Sequence, residues 1–306
     1  YRVVMQGPKD RGIARCSDME NAPFIWLDDT TLLTVVLPEG ETAGILDAYT
    51  RPLAHAGRTL NELREGKVPT VSESESGVAP LPSRTASLQV IDANNGSART
   101  IAEVPLHPFE GSLQISVAPN GKSIALLASK GAIAHERGKA FAYPFMDWQM
   151  HKQLGFADVE GDAARWLEEP PAIAKYPMDL QSWSPDSSAI ALRARPDAQT
   201  RALTLMRVSP RDLSMTRMSP EGMSVAASGV GFGDTTAVIF AADGRLVARA
   251  VRSSEELMPV DWWRASKLGQ PVPRADWWAF SRDRAPVNLT ALMRTPPEAL
   301  FATSDK

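Results

Sequence analysis

The stretches Ser116-Val-Ala-Pro-Asn-Gly-Lys-Ser-Ile-Ala-Leu-Leu-Ala128 and Ser182-Trp-Ser-Pro-Asp-Ser-Ser-Ala-Ile-Ala-Leu-Arg-Ala194 share one layout: a short strand, a Pro-Asx turn and an apolar strand. Pro pre-sets the backbone angle at the second position of a tight turn, and Asn or Asp after it tolerates the reversal that follows. Ile124 to Leu127 and Ile190 to Leu192 then form short, nearly continuous apolar runs. Such runs belong to strands buried on both faces rather than to strands with one wet face.

Degraded relatives of the unit occur in Phe24-Ile-Trp-Leu-Asp-Asp-Thr-Thr-Leu-Leu-Thr-Val-Val36 and in Val230-Gly-Phe-Gly-Asp-Thr-Thr-Ala-Val-Ile-Phe240. Each sets an aromatic before an Asp-Thr-Thr turn and an apolar strand. Recurrence of one strand-turn-strand unit is the punctuation of a β-propeller, and the fold class expected is all-β: a propeller of four-stranded antiparallel blades, incomplete in this chain. A hairpin-rich sandwich is the competing architecture, since turn-plus-strand patterns suit any all-β fold.

The chain of 306 residues exceeds the usual size of a single core, but a propeller grows by adding blades and needs no second domain. One propeller domain over 1–306 is therefore expected, with an exposed insertion at about 38–85. A formal charge of -3 and the lack of a basic run argue against a nucleic-acid partner. Cys16 is the only cysteine, which excludes an internal disulfide and a cysteine-built metal cluster. No stretch approaches the roughly 18 apolar residues of a membrane span, and no charged-then-apolar leader opens the sequence, so a soluble chain is expected. It begins on Tyr1, with Tyr1 to Met5 reading as a strand, as a piece of a longer protein would.

Along the chain, residues 24 to 37 read as a hairpin. From Pro38 to about Ser83 strand periodicity lapses; Thr59 to Arg64 reads as a helical turn, and Val68 to Pro82 is too rich in Ser, Glu and Pro to bury. Ser87 to Val104 reads as two strands around Asp92-Ala-Asn-Asn-Gly96, because Asn-Gly favours a hairpin turn. A strand is expected near Gln153 to Val159, short strands between Ser-Pro turns from Asp179 to Arg217, and a hairpin about Asp243-Gly244. Asp261-Trp-Trp-Arg264 and Asp276-Trp-Trp-Ala279 read as strand segments of a last blade, ending at Val287-Asn-Leu-Thr290. Adjacent Trp residues point to opposite faces, so one of each pair should pack between blades while the other lies outward.

Chemistry-bearing motifs are sparse. No Gly-x-Ser-x-Gly pentapeptide occurs, so the scattered Ser and Asp residues are turn formers rather than members of a triad. His55, His107, His135 and His151 are never two, three or four residues apart, which rules out a His-x-His or His-Glu-x-x-His metal helix. His107 reads as a loop residue before Pro108, and His151 as part of a strand surface. Gly229-Val-Gly-Phe-Gly-Asp234 has its third glycine one position early for a phosphate loop and no amphipathic helix after it. Asn95-Gly-Ser97 and Asn288-Leu-Thr290 match the glycosylation tripeptide, a pattern short enough to arise by chance. The residues thus offer no catalytic, cofactor-binding or metal-binding set.

Taken in order, Asn21-Ala-Pro-Phe-Ile-Trp-Leu-Asp-Asp-Thr-Thr-Leu-Leu33, Gly57-Arg-Thr-Leu-Asn-Glu-Leu63, Leu88-Gln-Val-Ile-Asp92 and Ser116 to Ala128 resemble the propeller of a prolyl-oligopeptidase-type serine peptidase. The order and the placement of the insertion are most similar to the branch of glutamyl endopeptidases and related acylaminoacyl or dipeptidyl peptidases. The ending Trp277-Trp-Ala-Phe-Ser281 to Asn288-Leu-Thr290 is similar to a late blade of those proteins. The resemblance implies an α/β-hydrolase domain of the same polypeptide, outside this chain, that carries Ser, Asp and His. It also implies peptide substrates, for which the propeller gates access. The departure is that no hydrolase motif is present, so no catalytic residue carries over and the chain alone is expected to be inactive. A freestanding propeller of the translocation type, acting as a protein-interaction module, is the alternative. The compartment stays open, with a periplasmic or secreted parent favoured over a cytoplasmic one.

Overall fold

The computed structural model describes residues 14–16, 24–36, 60–67, 84–106, 113–132, 150–197, 202–225, 238–252 and 275–295. Residues 60–64 form the helical turn expected there, and single 3-10 turns occur at Ala172–Ala174 and Thr290–Leu292. Among the described residues all other regular structure is β, arranged as antiparallel sheets that follow one another along the chain. The fold is all-β, with the four-stranded meander of a propeller blade as its recurring element. The chain divides into two compact units, residues 1–117 with 121–166, and residues 118–120 with 167–306.

In the first unit, β2 (Ile25–Trp26), β3 (Thr31–Val36), β4 (Arg84–Asp92) and β5 (Ala98–Leu106) pair in that order. The insertion expected at about 38–85 falls between β3 and β4, where residues 60–67 are described. Its described helical turn exposes Leu60 and Leu63, while residues 68–82 lie outside the described residues. The Asn-Gly signal between β4 and β5 makes a wider turn than a two-residue hairpin. Asp92 N–H donates to Ser97 O at 2.9 Å, Gly96 N–H donates to Asp92 O at 2.8 Å, and Gly96 takes φ +74. Only glycine enters that left-handed region without steric cost.

The second sheet of this unit is β6 (Leu113–Val117), β7 (Ser123–Ala132), β8 (Met150–Asp158) and β9 (Ala164–Trp166). A fifth strand, β1 (Ala14–Cys16), pairs with the other edge of β6, with Ala14 opposite Ile115. Leu33, Val35, Leu88 and Ile101 of the first sheet and Ile115, Ile124 and Leu126 of the second belong to one buried cluster. Each such side chain contributes about 1.5–3 kcal/mol on leaving water. Arg99 of β5 adds a polar tie: its guanidinium donates to Gly161 O at 2.8 Å and to Val159 O at 2.6 Å.

The second unit opens with β10 (Tyr176–Trp183), β11 (Ile190–Arg195), β12 (Thr204–Val208) and β13 (Met215–Arg217), paired in order. The next sheet is β14 (Met223–Val225), β16 (Leu246–Arg252), β17 (Asp276–Phe280) and β18 (Val287–Asn288), and β15 (Ile239–Phe240) joins it by pairing with β16. Ala189, Ala191 and Leu205 share a buried cluster with Val225, Val238, Phe240, Leu246, Ala248 and Phe280. Ile190 and Leu192 alternate with these alanines and are also fully buried, as the apolar run predicts. Ile124 to Leu127 and Ile190 to Leu192 thus occupy equivalent strands, each second in its meander, and all are at 0% exposure.

Two expectations need correction. Val230–Phe240 is not the fourth copy of the unit in phase with the others. Its apolar end, β15, pairs with Leu246 and Val247 of β16 across Ala241–Arg245, so β15 takes the first-strand position and β16 the second. The fourth copy is therefore Ile239 to Val251; its turn carries Asp243-Gly244 without a proline, which hid the likeness. Because β14 and β15 share one edge of β16, this sheet has five strands rather than four. The second correction concerns the tryptophans. Trp278 packs against the cluster between the sheets, but Trp277 on the opposite face is not outward: it is buried, 2% exposed. Its backbone is held by residues just after β18, Leu289 N–H donating to Trp277 O and Trp277 N–H to Thr290 Oγ1, each at 2.8 Å. The Arg249 guanidinium lies 6.0 Å from its ring centre. Asp261–Arg264 lies outside the described residues.

Candidate functional site

The turn that defines the repeat also frames a polar cleft in the second unit. In three of its copies an Asp Oδ1 accepts the backbone N–H two residues on: Asp28 from Thr30 at 2.8 Å, Asp186 from Ser188 at 3.0 Å, and Asp243 from Arg245 at 3.2 Å. This Asx turn lets the side chain stand in for a backbone acceptor. Asp186 gains a further bond from the Ser184 hydroxyl at 2.6 Å, whose oxygen in turn accepts the buried Ala189 N–H at 3.0 Å. After Asn120, Asp186 and Asp243 the next residue takes a left-handed conformation, at φ +72 in Gly121, +60 in Ser187 and +80 in Gly244. Ser187 pays for that conformation with a contact glycine lacks, its hydroxyl accepting the Asn120 N–H at 3.0 Å.

Between the turns Ser184–Ser188 and Ala241–Arg245 lies a cleft of 430 Å³. Met218 and Phe240, both buried, form its floor and continue into the core. Its rim carries Arg207 from β12, Arg245 from the turn and Arg282 from the segment after β17, together with Asp186 and Asp243. Arg245 Nε lies 2.6 Å from Asp243 Oδ2. Arg207 Nη2 donates to the Ser188 hydroxyl at 3.3 Å, and Arg282 Nε stands 3.9 Å from Asp283 Oδ1.

The Ser184 hydroxyl, then the Ser188 N–H, hold the Asp186 carboxyl down to about 2, and the N–H of Arg245 lowers that of Asp243. Both are ionised at neutral pH and cannot act there as general acids. Their hydrogen bonds bind them to their own turns. The cleft thus sets three guanidinium groups and two carboxylates around two buried apolar side chains.

His151 lies exposed on β8, while His55, His107 and His135 and the Gly229–Asp234 turn lie outside the described residues. Among the described residues no three His, Cys, Asp or Glu side chains stand close enough to hold a metal ion. The amides of the two glycosylation tripeptides are engaged, Asn95 Nδ2 with Asp92 and Asn288 Nδ2 with Asp276, at 2.8 and 3.0 Å. The three cleft arginines were missed in the sequence because they sit on three separate segments with no fixed spacing. The recurring turn was the available signal, since two of its copies frame the cleft.

Sheets and turns define a β-propeller-type fold. Among solved structures the chain is similar to the β-propeller domain of the Trilobed protease from Pyrococcus furiosus, reported to have an open velcro topology. Identity is 15% and the TM-score 0.35, over 67% of this chain and 49% of that one. It is also similar to a variant of the AtxE2 isopeptidase with Astexin3-dC4 bound, at 14% identity and a TM-score of 0.31, over 90% of this chain and 34% of that one. The chain thus spans about half and about a third of those two structures. No family model matches the chain, and no curated protein matches it.

Proposed function

We propose that this chain is the non-catalytic propeller portion of a prolyl-oligopeptidase-type serine peptidase and gates the access of short peptides to an α/β-hydrolase site located outside it. The observation that carries this reading is the succession of meander sheets whose second strands, β7 and β11, are buried along their apolar runs. Strands packed in this way make stiff walls, and stiff walls exclude folded proteins while passing flexible peptides. The ordered motifs from Asn21 to Ala128 supply the link to that peptidase class. The contribution of this portion is steric, since a peptidase needs nucleophile, base and oxyanion donors converging in one site.

The test compares the chain alone with the parent gene product. The chain alone is expected to leave a mixed peptide library uncut and to take no label from an active-site serine probe. The parent should be labelled and should cleave short peptides while sparing folded substrates. Stoichiometric labelling of the chain alone with turnover, or a parent lacking a nucleophile elbow, overturns the reading. The cleft at the third and fourth sheets favours a second reading, a freestanding propeller that binds a protein partner; a parent gene with no hydrolase domain would select it.

A further inference from the structure

We propose that the cleft framed by Ser184–Ser188 and Ala241–Arg245 is a binding site for an acidic, partly apolar peptide segment. Its carboxylates would be gripped by Arg207 and Arg282 and an apolar side chain seated on Phe240 and Met218. This inference does not depend on the gating reading, because the cleft lies wholly within the second unit.

The charges of the rim are not equally committed. Arg245 is neutralised by Asp243 at 2.6 Å, and Asp186 spends its carboxylate on the Ser184 hydroxyl and the Ser188 N–H. Arg207 is attracted to the Asp186 carboxylate across the rim but makes one hydrogen bond, to a neutral hydroxyl at 3.3 Å, and a guanidinium carries five N–H donors. Arg282 has only the loose approach of Asp283 at 3.9 Å, between side chains 72% and 87% exposed. Two guanidiniums on one rim therefore keep donor forks suited to carboxylate oxygens.

The floor decides what kind of anion fits. Met218 and Phe240 are apolar, and a volume of 430 Å³ falls within the about 300–1,000 Å³ of sites that enclose small ligands. A segment alternating carboxylate and apolar side chains satisfies rim and floor together. A nucleic-acid strand would bring a phosphate at every residue against a rim that also carries Asp186 and Asp243, whereas a segment whose carboxylates are spaced by apolar side chains can set them on the arginines and its apolar groups on the floor.

The experiment measures fluorescence anisotropy of the purified chain with a labelled peptide of alternating Glu and Leu, beside its Gln-for-Glu and Lys-for-Glu counterparts and a single-stranded oligonucleotide. Saturable binding of the Glu peptide is expected, weakened at least tenfold by Arg207→Ala combined with Arg282→Ala and unchanged by Arg64→Ala. Arg207→Lys should recover only part of the loss, because an ammonium keeps the charge without the fork. Arg282→Glu alone, at an exposed position, should weaken the Glu peptide and strengthen the Lys peptide, and it serves as the readout should the double variant lose its native melting transition. The proposal is overturned by absence of saturable binding, by binding indifferent to these arginine variants, or by equal affinity for the Gln peptide or the oligonucleotide.

Discussion

Gly155 of β8 lies beneath the indole of Trp166 on the neighbouring strand β9: a Cβ at Gly155 would stand 2.5 Å from Trp166 Cε3 and 2.8 Å from Cδ2. The ring covers a glycine that would otherwise leave the sheet surface bare. Gly155→Ala forces the indole aside and should cost about 1–3 kcal/mol, as overpacking does. Urea titration of Gly155→Ala, Trp166→Ala and the double variant measures this. The two losses should be less than additive, since removing the ring removes the clash; strict additivity would show that the ring does not oppose the Cβ.

Arg193 and Asp179 form a cross-strand ion pair on β11 and β10, with Arg193 Nε 2.9 and 3.1 Å from the two carboxylate oxygens and side-chain exposures of 6% and 14%. Asp179→Ala leaves a guanidinium buried without this counterion, and the expected loss is about 3–5 kcal/mol by denaturant unfolding. Replacing both partners together, Asp179→Leu with Arg193→Met, should recover much of that loss. A double variant as unstable as the single one would contradict this account.

Leu213, in the turn between β12 and β13, holds φ +58. An L-residue with a Cβ is strained there by about 1–2 kcal/mol. Leu213→Gly should raise the urea midpoint, because glycine meets no such clash even after its larger unfolded-state entropy is counted. A lowered midpoint would mean that the half-buried leucyl side chain contributes more than the strain it causes.

The Asp186 carboxyl is held at about 2, chiefly by the Ser184 hydroxyl. A folded-state value below the unfolded one, about 3.9, stabilises the fold above that unfolded value; the contribution is lost as pH falls from about 4 through about 2. In Ser184→Ala the Asp186 titration, followed by carboxyl NMR, should move up toward the ordinary range. The same variant leaves the buried Ala189 N–H without its acceptor, at a cost of about 1–3 kcal/mol. An unchanged titration would remove Ser184 as the cause.

The strands that carry the blade core were legible in the sequence where the signal was local. Ile124 to Leu127 and Ile190 to Leu192 announced strands buried on both faces because strand periodicity is written in adjacent residues. The Pro-Asn and Pro-Asp turns did the same, since proline and Asx residues constrain their own backbone. Where the turn lost its proline, at Ala241–Arg245, the phase of the fourth unit was misread, and hydrogen bonding between β15 and β16 decided it. One tryptophan of the pair Trp277–Trp278 was expected outward because alternation tells which side chains share a face, not whether that face is covered; in three dimensions Trp277 is buried, with the Arg249 guanidinium 6.0 Å from its ring centre. The cleft lay beyond local reading for the same reason. Arg207, Arg245 and Arg282 are brought to one rim by the stacking of two sheets, and that placement depends on packing between distant strands, which no spacing along the chain encodes.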